Sequence, residues 1–181
     1  MVYMFLADGF EEIEAFCPLD IMRRAGITVT TVGVSGNTIV GAHGIEVAAD
    51  ITAAEFDTDD FDMIVLPGGM PGTLNLEGSD VCINAVKVAV CNDKYVAAIC
   101  AAPSILGKMG ILDGKNAVCY PGFENELKGA TVLDCGVCVD GRIITAAGMG
   151  VAIEFGLKLV EVLLGKDAAD KIFTSVQAHR R

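Results

Sequence analysis

Basic residues are scarce in this chain: 13 Lys and Arg stand against 24 Asp and Glu, a formal net charge of −11. A surface of that sign repels phosphate backbones and anionic lipid, so neither nucleic acid nor a membrane surface is an expected partner. Long apolar runs are also missing. The uncharged stretch from Ile27 to Ile45 carries Thr, Ser, Asn, His and four glycines, which suits strands and turns, and no transmembrane span is expected. The first residues have no basic leader and reach Asp8 early, so they do not read as a signal peptide, and a cytoplasmic location is expected.

Histidine is nearly absent, with only His43 and His179. A class I glutamine amidotransferase, the nearest fold-level rival built on Cys-His-Glu, needs a histidine with a glutamate two residues on. Neither histidine has one, and His43 reads as a loop or interface residue. Cys135-Gly136-Val137-Cys138 has C-x-x-C spacing, but no second pair exists and Cys119 is the one plausible further ligand, so no metal is expected. A redox pair normally opens a helix, whereas this one precedes Asp140-Gly141 and a strand, so it reads as two thiols on a hairpin. Neither G-x-G-x-x-G nor G-x-x-x-x-G-K-[ST] occurs, repeats are absent, and nucleotide binding is not expected.

What is present is a foldable, apolar chain of 181 residues, 52% apolar and 20% charged, the size of one domain spanning 1–181. Its seven cysteines are an odd set without a secretory leader, which favours reduced, mostly buried thiols. Strand and helix signals alternate. Val2 to Ala7 is a buried-strand run followed by helical spacing over Phe10 to Ala25, where acids crowd the first turns, arginines the last, and Gly26 follows; Pro18 is expected to bend or delay this helix. Ile27 to Val34 reads as a strand, and Thr38 to Val40 with Ile45 to Ala48 as a small hairpin. Met63 to Leu66 and Tyr95 to Ile99 are strands leading to helices over Val81 to Cys91 and from Pro103 toward Met109. Asn116 to Tyr120, Thr131 to Leu133 and Arg142 to Ala146 are weaker strands expected at a sheet edge, with Asp140-Gly141 as a turn. Helices are expected over Val151 to Leu164 and Asp167 to Val176. Such β-α repeats predict an α/β fold, a mostly parallel sheet covered on both faces, with its active site at the carboxyl ends of the strands.

Three segments converge there: Ala7 to Glu14, Leu66 to Gly72, and Ala97 to Pro103. Cys100 stands at an abrupt strand-to-helix turn beside small Ala101 and Ala102, as a nucleophile elbow requires. The positive end of the following helix is expected to lower its thiol pKa below that of a free thiol. The amide of Ala101, with those of Gly68 and Gly69, can stabilise an oxyanion. One of Glu11, Glu12 and Glu14 can supply a proton, because a carboxyl desolvated beside sulfur keeps it; residue type alone does not choose among the three.

These segments resemble the ThiJ/PfpI superfamily, in the branch of the parkinsonism-associated deglycase. The likeness runs over nearly the whole chain and is carried by Ala97-Ala98-Ile99-Cys100-Ala101-Ala102-Pro103, Leu66-Pro67-Gly68-Gly69 and Glu11-Glu12-Ile13-Glu14 ahead of Pro18-Leu19-Asp20. It implies a flavodoxin-like three-layer α/β/α sandwich, a homodimer, and cofactor-free glyoxalase or deglycase chemistry on α-oxoaldehydes such as methylglyoxal. By that likeness Cys100 falls on the reactive cysteine, Glu14 on a protonated glutamate bonded to it, and Gly69 and Ala101 on the amide donors, with Gly68, Tyr120 and Gly148 as further pocket positions. The alternative it implies is a redox-sensing or stress-protective chaperone using the same oxidisable thiol. Tyr120 replaces a histidine found in some members, Ala101 replaces the histidine of the protease-like branch, Met149 a common proline and His43 a common arginine, so a Cys-His protease is not expected.

Overall fold

A computed structural model describes residues 1–179. Its central sheet has seven strands in the order β10-β11-β7-β6-β1-β2-β5. These are β1 (Val2–Leu6), β2 (Val29–Gly33), β5 (Ile51–Thr52), β6 (Met63–Leu66), β7 (Tyr95–Ile99), β10 (Val137–Asp140) and β11 (Ile143–Ala146). All neighbours pair in parallel except β10 with β11. β3 (Thr38–Val40) and β4 (Glu46–Ala48) form the expected small hairpin, and β8 (Asn116–Ala117) pairs with β9 (Thr131–Val132). The helices are α1 (Glu12–Arg24), α2 (Gly72–Glu77), α3 (Asp80–Cys91), α4 (Pro103–Lys108), α5 (Ala152–Leu164) and α6 (Lys166–Ser175).

The apolar runs of the central strands fill both faces of the sheet. On β1, Val2, Met4 and Leu6 join α1, α5 and α6 in one core, while Tyr3 and Phe5, with Ala7 just beyond, join α3 and α4 in the other. Period-two alternation sends successive side chains to opposite layers, and a strand buried on both sides has no polar face to show. Each large side chain so buried stabilises the fold by roughly 1.5–3 kcal/mol. The result is the three-layer α/β/α sandwich the sequence predicts.

Several details differ from the sequence expectation. Helix α1 begins at Glu12 rather than Phe10, because Phe10 is fully buried, its N–H bonds to Ala7 O, and the Glu11 N–H is held by Gly68 O. Pro18 lies inside α1. The proline has no N–H to offer the carbonyl four residues earlier, which is that of Glu14. The hairpin loop is Gly141-Arg142, since Asp140 still pairs with Ile143 and Gly141 takes φ +62°. Asn116 and Thr131 start a separate parallel pair, leaving β11 and β10 to extend the main sheet. After Ala117 the chain leaves strand pairing: the Val118 N–H bonds to Thr145 Oγ1 and the Tyr120 N–H to Cys100 O. The short helix α2 has no counterpart in the sequence reading.

Candidate active site

The carboxyl ends of β1, β6 and β7 bring the three expected segments together. Cys100 directly follows β7 at φ +65°, in the left-handed region that a residue with a Cβ rarely occupies. The turn is held from both sides: Cys100 N–H donates to Ala146 O at 2.8 Å, and Tyr120 N–H donates to Cys100 O at 2.8 Å. Ala101 and Ala102 are buried behind it while Cys100 itself stays partly exposed, so the turn lifts the thiol out of the sheet. The backbone N–H groups of Gly69 and Ala101 both bond the Cys100 thiol. Strained geometry beside convergent donors is the arrangement expected of a nucleophile elbow.

Glu14 is the carboxyl that meets this sulfur. It lies in the first turn of α1, only 1% exposed, and its side chain hydrogen-bonds Cys100. Its Oε2 accepts the Gly68 N–H at 3.0 Å, and the Met149 N–H also bonds its carboxyl. The Gly68 amide is thus committed to Glu14, not to an oxyanion as one reading of the glycine loop had it, and the Met149 amide is a contact the sequence did not reveal. The side chain also explains why position 68 is glycine: a Cβ there would sit 2.6 Å from Cys100 Cβ and 2.6 Å from Glu14 Oε2. Gly68→Ala is expected to lower stability by about 1–3 kcal/mol by forcing the pair apart. Urea unfolding measures it, and a midpoint equal to the parent's together with equal Cys100 alkylation would contradict the packing.

The electrostatics correct one expectation. Burial pushes Glu14 up to about 7, against the pull of its bonds to Cys100 and the Gly68 amide. Burial, the Glu14 charge and the Glu14 hydrogen bond push the Cys100 thiol up to about 12, outweighing the Ala101 and Gly69 amides. The thiol is therefore not lowered below a free cysteine, because desolvation beside a carboxyl exceeds the gain from two amides. The physical unit is the pair: it gives up one proton near neutrality, and a second is opposed by burial and like charge together. That single negative charge has donors at either end, Gly69 and Ala101 at sulfur, Gly68 and Met149 at the carboxyl.

The other candidates fall in distinct places. Glu12 is turned to His43, with its two oxygens taking the His43 N–H at 2.8 Å and Nδ1 at 2.7 Å, and His43 is raised by that bond and by the charges of Glu11 and Glu12. Among the described residues, Glu11, Glu12 and His43 are the one group whose possible metal-ligand atoms converge within 4.8 Å, an arrangement the ion pair accounts for. Cys135, Cys138 and Cys119 do not converge in that way; Cys135 is exposed on the bend before β10 and Cys138 is buried on the strand. Tyr120 stands at the rim, about half exposed, with its ring against Gly148. Two open cavities of about 720 and 840 Å³ lie at the opposite, amino-terminal end of the sheet, where Arg142 stacks on Tyr95.

A flavodoxin-like α/β sandwich with a cysteine elbow facing a buried glutamate is a defined class of protein. The DJ-1/PfpI family model matches residues 1–162, and the chain belongs to that family. It is 40% identical over 171 residues to DJ-1 homolog A of Arabidopsis thaliana, covering 92% of this chain and 44% of that protein, so it spans less than half the length of that relative. It is 32% identical over 164 residues to the glutathione-independent glyoxalase DJR-1.2 of Caenorhabditis elegans, covering 90% of this chain and 87% of that one. The solved structure of oxidized Toxoplasma gondii DJ-1 superposes with a TM-score of 0.95 at 35% identity, over 99% of this chain and 98% of that chain. None of the helices in the described residues is long and apolar enough to cross a membrane.

Proposed function

We propose that this protein is a cysteine-dependent, cofactor-free glyoxalase that converts small α-oxoaldehydes such as methylglyoxal to 2-hydroxy acids without glutathione. The observation that carries the reading is the hydrogen-bonded Cys100–Glu14 pair, a partly exposed thiol against a buried carboxyl that titrates near neutrality. The name of the nematode relative supports it.

The reactive form is the tautomer in which the Cys100 proton has passed to the ionised Glu14 carboxylate, so that sulfur holds the charge and Glu14 the proton. Sγ adds to the aldehyde carbon, the S–C bond forms, and the carbonyl oxygen takes a proton to give a hemithioacetal. The Gly69 and Ala101 amides, which face the sulfur, supply the donors for the charge that develops on that oxygen. Glu14, now a carboxylate, removes the proton from the former aldehyde carbon and returns it to the neighbouring carbon. The aldehyde carbon is thereby oxidised to a thioester as the ketone is reduced to an alcohol. Water cleaves the thioester, releases the 2-hydroxy acid and restores the thiol. The net reaction adds one water and needs no external oxidant. In the deglycase variant the substrate is the hemiaminal of a glycated amine or the hemithioacetal of a glycated thiol: the C–N or C–S bond breaks, the amine or thiol leaves with a proton, and the freed aldehyde carbon is taken by Cys100 and carried on by the same groups.

Purified protein incubated with methylglyoxal in glutathione-free buffer is expected to form lactate in proportion to enzyme, read by chiral chromatography. Adduct on Cys100 without lactate would reject the turnover. That result would favour the second reading, a stress-protective thiol oxidised to sulfinate, which the partial exposure of Cys100 and the oxidized state of the Toxoplasma relative support. A homodimer is part of the proposal: Ile13 on α1 and Ile153 on α5 leave about half their surface exposed, and α1 packs on α5. Solution mass checks it.

A further inference from the structure

We propose that Tyr120 is the specificity-determining wall of this site, and that it selects α-oxoaldehydes with an aromatic or bulky apolar substituent over glyoxal. The inference rests on the glyoxalase reading and names the substrate class it leaves open.

Three residues whose backbones adjoin the reacting pair keep large, exposed apolar side chains: Met70 at 48%, Tyr120 at 51% and Met149 at 53%. Each is tied to the chemistry through its backbone. Met70 follows Gly69, whose amide bonds the sulfur; the Met149 amide bonds Glu14; the Tyr120 amide holds the Cys100 carbonyl. Single exposed apolar residues are ordinary, but of these three the Tyr120 ring is the one whose atoms border the gap beside Glu14.

The ring of Tyr120 is placed by Gly148. A Cβ on Gly148 would lie 3.3 Å from Tyr120 Cδ2, 3.8 Å from Tyr120 Cε2 and 3.8 Å from Glu14 Oε1. The edge of the ring and the proton-carrying carboxyl therefore border the same small gap, which the missing side chain of Gly148 keeps open. A substrate bonded to Sγ through its first carbon must present its second carbon to Glu14, since that is where the proton is delivered. The substituent on the second carbon then falls toward the Tyr120 ring. Hydrogen on that carbon, as in glyoxal, gains nothing from the contact, while a phenyl group gains an aromatic pair.

The test compares the parent protein with Tyr120→Ala and Tyr120→Phe on glyoxal, methylglyoxal and phenylglyoxal. Two readouts are taken: KM and kcat separately, and the concentration of each dicarbonyl that half-protects Cys100 from iodoacetamide. Tyr120→Ala is expected to raise the phenylglyoxal-to-glyoxal ratio of KM, and of half-protecting concentration, about three- to tenfold. In Tyr120→Phe that ratio is expected to stay with the parent. Equal changes for all three dicarbonyls in Tyr120→Ala, or no change in the ratio, would overturn the assignment. A ratio lost in Tyr120→Phe as well would overturn it too, by moving the effect to the hydroxyl. If no dicarbonyl is turned over, the glyoxalase reading fails by itself, and the protection ratios still decide whether Tyr120 selects the adduct.

Discussion

Cys100→Ala is expected to form no lactate above background from methylglyoxal, a loss on the order of 10³-fold or more. Among the described groups that meet at the carboxyl ends of β1, β6 and β7, Cys100 offers the thiol that can add to a carbonyl, and without it no hemithioacetal forms for Glu14 to act upon. The substitution is mild for the fold. Alanine meets the same left-handed backbone at φ +65° that cysteine does, and it fits in the space of the thiol. Chiral chromatography of the product, with the unfolding midpoint as a control, gives the answer. A variant that keeps its fold and retains more than a tenth of the parent rate would remove Cys100 from the mechanism.

Glu14→Gln is expected to cost about 10²–10⁴-fold in kcat, the range for losing a positioned general acid and base, while leaving adduct formation on Cys100 detectable by mass. It also has a signature in stability. Burial raises the folded-state pKa of Glu14 from 4.5 to about 7, so the folded chain binds this proton more tightly than the unfolded chain. The stabilisation from that proton is complete below the unfolded-state value of 4.5, declines as pH rises, and is gone above about 7. At 1.36 kcal/mol per unit, the group makes the parent about 3 kcal/mol less stable at pH 8 than at pH 4. Glutamine carries no such proton, so the variant lacks that decline. Urea unfolding of both proteins across this range reads the difference directly. Parallel stability curves would mean that Glu14 does not hold a raised pKa.

Much of the architecture was legible from the chain because buried parallel strands announce themselves. Val2 to Leu6, Met63 to Leu66 and Tyr95 to Ile99 are uninterrupted apolar runs, and each ends in a turn signal or a small-residue elbow. Where strands are two residues long, as at Asn116–Ala117, the local pattern carries too little information, and hydrogen bonds to Thr145 and Cys100 decide the path instead. Cys100 was legible for the same reason as the strands, since its position at the end of one is a matter of order along the chain. The choice among Glu11, Glu12 and Glu14 was left open by residue type and pointed to Glu14 by family likeness alone. Three acids in one stretch look alike until α1 turns Glu12 to His43 and Glu14 beneath Gly68.

By itself the sequence determined the layer order, the acidic surface, the cysteine at the elbow and the glycines around it, because these follow from apolar periodicity, charge count and turn chemistry, all local properties. Only the tertiary structure decided the protonation of the pair, the partners of the Gly68 and Met149 amides, and the ring that borders Gly148. Each of those depends on desolvation and on distances of a few ångströms between segments far apart in the chain, which local pattern does not encode.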